Sequence, residues 1–125
     1  MYSIESPRTD DSAIEQEIQA KGLTAPRVTP ADIEANITSE FYFTAADGAE
    51  GASGHRPNSV RAGTALALLT FCVLVLRNGF TVTGESACAS PENFDAALGR
   101  KIARANAVNK MWPLMGYSLK ERLSN

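Results

Sequence analysis

Arg100 and Arg104 stand four residues apart, so on a helix their guanidiniums are neighbours and cost it about 0.2–0.5 kcal/mol. Lys101 is adjacent, and no acid lies three or four positions from Arg104 to relieve the repulsion. One reading is an anion-binding strip of Arg100 and Arg104, with Lys110 further along. The other is an ordinary basic surface. Nothing else in the chain offers comparable chemistry. The single histidine, His55, lies in a Gly-rich stretch, so no serine–histidine–aspartate set can be drawn. Cys72 falls in an apolar run, where a thiol is inert core. Cys88 precedes a helix N-terminus that could lower its pKa, but has no histidine nearby in sequence. Two cysteines sixteen positions apart and one histidine give no zinc-ligand spacing. The sequence therefore predicts no enzyme, no catalytic residue, no metal and no cofactor.

The 125 residues suit one domain with a real core. A formal charge of -2 argues against a general coater of nucleic acid, and nucleic acid is not an expected partner. That balance hides an asymmetry. Residues 1–64 hold ten acids and five bases, and residues 65–125 hold four acids and seven bases. The longest apolar run, Ala65 to Leu76, has twelve residues, against about 20 for a membrane span. With a polar, acidic start of no signal-peptide type, the expectation is a soluble cytoplasmic protein with free thiols and no membrane association.

Three regions are expected within one domain: N-terminal helices and an aromatic strand over 1–44, a Gly-rich flexible loop over 45–64, and a hairpin with helices over 65–125. Residues 1–10 read as frayed. Ile14 and Ile18 mark a short helix over Ser12 to Ala20 that Gly22 can stop. Thr29-Pro30-Ala31-Asp32 starts another, with Thr29 as cap and Pro30 in the first position. Glu40 to Thr44 is aromatic and β-prone. The Ala45 to Thr64 stretch lacks the Gly-Lys-Ser/Thr ending of a phosphate loop.

Ala65 to Leu76 is apolar in both alternating sets, which predicts a strand covered on one side by helices and on the other by a sheet or subunit. Arg77-Asn78-Gly79-Phe80 signals a hairpin with a two-residue loop, pairing Leu76 with Thr81 and Val75 with Val82. Ser90 should cap the main helix, with Pro91 in its first turn. Phe94, Leu98, Ile102, Ala105, Val108 and Trp112 would form its core stripe, and Pro113 would end it. A short helix over Tyr117 to Leu123 would follow. Ala96, Gly99, Ala103 and Ala107 form a second stripe of small residues, with Asn106 alongside. That stripe suits close packing, within the subunit or against a second one. The fold class is α+β: an antiparallel β-hairpin or sheet packed by a long C-terminal helix and a short terminal one, with short N-terminal helices.

Particular residues carry a family resemblance. The run from Phe71 through Arg77-Asn78-Gly79-Phe80 to Ser90-Pro91-Glu92-Asn93-Phe94-Asp95 continues through Gly99 to Arg104, Asn106 to Trp112 and Gly116-Tyr117. It resembles a widespread small tailed-phage family and is similar to the first Thoeris anti-defence family. Those phage proteins sequester the cyclic ADP-ribose isomer made by a bacterial TIR immune enzyme. The resemblance covers about residues 65–123 and little of the first 60. It implies a non-enzymatic sponge in the host cytoplasm, a homodimer or a hexamer built from dimers, that holds a cyclic nucleotide at a subunit boundary. Some members also hold cyclic oligonucleotides. Phe94, Arg100, Arg104, Asn106 and Arg122 are then the expected ligand contacts. A protein–protein module, or a direct inhibitor of a host defence protein, is the alternative.

Overall fold

The computed structural model describes residues 11–53 and 63–125. The expectations for residues 1–10 and for His55 lie outside the described residues. Those described form five helices and three strands, in the order α1 (Asp11–Ala20), α2 (Pro30–Ala35), β1 (Ile37–Thr44), α3 (Ala45–Ala52), α4 (Gly63–Leu66), β2 (Leu69–Leu76), β3 (Thr81–Ala87) and α5 (Ala96–Leu123). The strands form one antiparallel sheet in the order β1-β2-β3. The fold class is α+β, as the sequence predicts. Among the described residues no helix is long and apolar enough to cross a membrane.

The short N-terminal elements follow their local signals. Gly22, at φ 68°, closes α1 with its own N–H donating to Gln19 O and that of Leu23 to Ile18 O, an αL glycine cap that satisfies carbonyls of the last turn. In α2, Thr29 Oγ1 accepts from Asp32 N at 3.1 Å and Asp32 Oδ2 accepts from Thr29 N at 2.9 Å, a complete capping box. The aromatic strand starts earlier than expected, at Ile37. The first part of the predicted 45–64 loop is a helix instead. Thr44 and Asp47 form a second capping box there, and the alanines of α3 outweigh Gly48 and Gly51.

Several expectations for the C-terminal half are corrected. The apolar run becomes a strand only from Leu69, since Gly63–Leu66 is helical. The hairpin loop has three residues, not two: Leu74 pairs with Val82 and Val75 with Thr81. Gly79 N donates to Leu76 O, Leu76 N donates to Phe80 O, and Gly79 adopts φ 89°. A slip of one residue turns every side chain over. The observed register sends Val82 and Gly84 inward with Leu74 and Cys72, leaving Thr81 and Thr83 outward with Val75 and Val73. The two-residue register would have buried the threonines.

The main helix begins one turn late. Ser90 makes no side-chain cap. Pro91–Asn93 forms a single 3₁₀ turn, and Asp95 caps α5 by accepting from Leu98 N at 3.0 Å. Phe94 therefore lies before the helix, outside the predicted stripe. Pro113 does not end α5, which continues to Leu123 with the proline on its exposed side. An internal proline costs a helix about 3 kcal/mol. Met111, buried, and Met115, packed on the core, clamp the turns on either side, while Trp112 Nε1 donates to Asp11 Oδ2 at 3.2 Å.

The core face of α5 is only partly the predicted one: Val108 and Trp112 pack against the core, but its centre is the small-residue stripe. Gly99, Ala103, Asn106, Ala107 and Met111 are buried, whereas Leu98 is 43% exposed. The small-residue stripe packs within the subunit. Its neighbours in the core are Ile33, Cys72, Leu74, Leu76 and Val82. A Cβ placed on Gly84 would stand 2.2 Å from Ala103 O and 2.3 Å from Ala107 N. Both are backbone atoms, so helix and strand touch main chain to main chain. Finally, β2 is fully buried on one face only: Phe71, Val73 and Val75 on the other are half-buried, beside exposed Phe41 and Phe43.

Two glycines give opposite expectations. Gly84→Ala must push α5 off β3, and overpacking of this kind costs about 1–3 kcal/mol or more. Gly116 lies inside α5, and a methyl group added to it would meet nothing within 4 Å, so Gly116→Ala should stabilise by about 0.5–1 kcal/mol. Urea denaturation of both variants checks the pair. Equal stabilities would show that the close approach is not a constraint.

Candidate functional site

The expected ligand residues are spread along α5. Phe94, half-buried, and Arg100, exposed, line one shallow hollow with Tyr42, Thr44, Asp47 and Thr70. Its volume is about 100 Å³, well below the roughly 300 Å³ at which small-molecule sites begin. Arg100 and Arg122 are 22 positions apart on one helix, about 33 Å at 1.5 Å per residue. The five residues do not converge on a single site within one chain.

Arg104 is occupied by acids of the N-terminal half. Its Nη2 lies 2.8 Å from Glu34 Oε1, its Nη1 3.1 Å from Glu34 Oε2, and its Nε 3.0 Å from Glu40 Oε1. Such a fork is the strongest geometry available to a guanidinium, and it raises the Arg104 pKa further. Arg104, followed by the Tyr42 hydroxyl donating at 2.6 Å, lowers the Glu40 pKa. Burial, followed by the bond to Glu40, raises that of Tyr42. Helical spacing shows no acid near Arg104. The relief comes from α2 and β1, which only the tertiary fold brings to it.

Asn106 is 8% exposed, and its Nδ2 donates to Glu85 O at 2.9 Å. Its amide ties α5 to the outer strand β3. Cys72 and Cys88 are both free and buried, and burial raises the Cys72 pKa. Among the described residues no group of three or more His, Cys, Asp or Glu is arranged to hold a metal ion.

Arg122 occupies a different environment. It sits in the last turn of α5, where a cation complements the helix dipole, and its Nη1 donates to Ser118 Oγ at 3.1 Å. It lines a cleft of about 700 Å³ with Arg77, Asn36, Asn78, Ser118 and Met115. Arg77, at the hairpin tip, donates from its backbone N to Asn36 O at 3.0 Å and from Nε to Asn36 Oδ1 at 3.4 Å. Sequence reasoning used Arg77 only as a flank of the Asn-Gly turn. Its one signal was a base beside that turn, and nothing local places it near Arg122. Among the described residues neither arginine forms an ion pair, whereas Arg27, on the same cleft, is held by Glu15 at 2.6 and 2.7 Å. That contact lowers the Glu15 pKa to about 2. Asp32 is the acid on the cleft wall. The cleft thus offers two guanidiniums with only neutral partners, in a volume that accommodates a nucleotide.

The family model described as Phage protein (N4 Gp49/phage Sf6 gene 66) matches residues 28–123. The match takes in α2 and β1 as well as the hairpin and α5, a longer span than the sequence resemblance covers. No curated protein and no solved structure matches the chain.

The Arg104 clamp carries a pH dependence of known sign. A carboxylate whose folded pKa is lowered contributes stability above its unfolded pKa, and loses it as pH falls through the folded value. Stability of the wild type should therefore drop as pH falls below the ordinary glutamate value of 4.5. Arg104→Met should remove Glu40's share of that drop and raise the Glu40 pKa, read by NMR titration of its carboxyl. At pH 7 the variant should lose about 0.2–1 kcal/mol, the scale of a partly exposed pair. An unmoved Glu40 titration would show that the clamp does not hold in solution.

Proposed function

The chain belongs to this phage protein family, and from that premise we propose that it captures a cyclic nucleotide immune signal in the host cytoplasm without cleaving it. The signal class is a cyclic ADP-ribose isomer, with cyclic oligonucleotides as the extension, and the role is anti-defence against a TIR-type system such as Thoeris. One observation carries the reading: Arg77 and Arg122, without ion pairs among the described residues, on one nucleotide-sized cleft. Phosphate groups take bidentate contacts from guanidiniums, and the amides of Asn36 and Asn78 supply further polar groups at the wall. Phe94 and Arg100 form the smaller hollow at the other end of α5. A second copy meeting that hollow would enlarge it to ligand size.

Stoichiometric capture has a direct test. The full chain is mixed with cyclic ADP-ribose isomers, filtered, and then heated. Free ligand should fall by one equivalent per site and return intact on denaturation. Arg77→Ala and Arg122→Ala should each weaken capture about tenfold or more, the loss expected for a charge-assisted contact. No depletion of these isomers, or of cyclic di- and trinucleotides, would end the sponge reading.

The outer sheet face favours a second reading, a protein–protein module. Phe41 is 56% and Phe43 39% exposed, with the Phe43 ring stacked on Phe71 at 5.6 Å. Large apolar groups are rarely left clustered in water without a partner. The assembly we propose is a homodimer, or a hexamer built from dimers, using this face. Sedimentation equilibrium should give an oligomer for the wild type and a monomer for Phe41→Asp. A monomeric wild type would remove the assembly.

A further inference from the structure

We infer that the hollow beside the arginine cleft is a nucleobase subsite, in which Phe80 and Tyr117 stack on the base of a nucleotide whose phosphates lie at Arg77 and Arg122. The inference rests on the nucleotide-capture reading and names the part of the ligand that the arginines cannot recognise. The hollow has a volume of about 400 Å³. It shares Asn36, Asn78, Met115 and Ser118 with the arginine cleft, so the two are contiguous.

Polarity divides between the two compartments. The cleft carries Arg77 and Arg122, whereas the hollow carries Phe80, Tyr117, Leu114 and Glu121. Phe80 is 56% and Tyr117 69% exposed, and the Tyr117 hydroxyl makes no hydrogen bond among the described residues. Two aromatic rings from separate elements, the end of the hairpin loop and the C-terminal part of α5, are thus held partly in water along one hollow. A base presents a planar π-face that such rings bind whatever its identity. Met115 provides an adaptable floor. Glu121 would repel a phosphate, but its carboxylate accepts from an exocyclic amine or a ribose hydroxyl. Charge complementarity therefore fixes the direction of the ligand: base toward Tyr117 and Glu121, phosphates toward Arg77 and Arg122. An apolar peptide would leave the arginines unmatched, and a simple polyanion would leave the aromatic rings in water.

The experiment is calorimetric titration of the full chain with cyclic ADP-ribose, cyclic di-AMP and inorganic pyrophosphate, the last having no base. Phe80→Ala and Tyr117→Ala should weaken nucleotide binding about tenfold, as loss of one stacking partner does, and Tyr117→Phe should restore it. The pyrophosphate titration should respond to Arg77→Ala and Arg122→Ala instead. Both rings are exposed, so these substitutions remove little packing. If nucleotides bind the wild type and the aromatic variants equally, the subsite is overturned while nucleotide capture stands. An equal loss of pyrophosphate and nucleotide binding in the aromatic variants would also overturn it, by assigning the rings a structural role. If the wild type binds none of the three, both capture and subsite fall together.

Discussion

The contact on which the rest of the structure depends is the approach of α5 to β3 at Gly84, where helix backbone meets strand backbone. Such an approach leaves room for no side chain on the strand and nothing larger than a methyl on the helix. Gly84 meets the first need, and Ala103 and Ala107 the second. Asn106 then fixes the rotation of α5 by donating to Glu85 O, the next carbonyl along β3. With position and rotation set, larger groups fill the remaining space on either side, Leu74 and Val82 from the sheet and Met111 from the helix. The same rotation leaves Leu98 exposed and Arg100 at the rim of the hollow beside Tyr42 and Thr70. It also carries the second half of α5 past Pro113 to the hairpin tip, where the arginine cleft forms.

Charge is distributed by the same geometry. The acidic first half and basic second half do not remain separate surfaces. Arg104 is neutralised by Glu34 and Glu40, and Arg27 by Glu15. These pairs join α5 to α2 and β1, and the segment before α2 to α1. What remains is a small number of arginines without internal carboxylates among the described residues, and two of them, Arg77 and Arg122, face one cleft. A net charge of -2 is compatible with an anion site because the site depends on which cations stay uncompensated.

The chain's local rules were legible wherever a local interaction decides the outcome. The Thr29 cap, the Gly22 stop and the α+β class follow from backbone hydrogen bonding and hydrophobic periodicity. The errors have two causes: one local signal overriding another, as at α3 and at the start of α5, and packing overriding a local signal. Ser90-Pro91 looks like a helix start, yet Asp95 caps, because the chain makes a 3₁₀ turn first. Pro113 looks like a stop, yet the core holds the helix on both sides of it. Of the candidate site residues, Arg122 was legible as a base near a helix end. Arg77 was not, because its partner lies 45 positions away in sequence.

Sequence alone therefore did not determine α3 or the single long α5, but it did determine the α+β class, the first two helices, the hairpin, the charge asymmetry and the presence of a small-residue stripe. These depend on neighbours within a turn or a strand pair, so composition and spacing contain them. The tertiary structure decided the hairpin register, the buried face of α5 and the fate of each arginine. All three depend on contacts between distant segments: Val82 against threonine for the core, backbone against backbone at Gly84, and guanidinium against the acids that folding brings near. A periodic pattern can offer two faces of a helix to the core, but only the sheet it meets selects between them. Here the bare backbone at Gly84 selected the face on which Ala103 and Ala107 present only methyl groups at the contact.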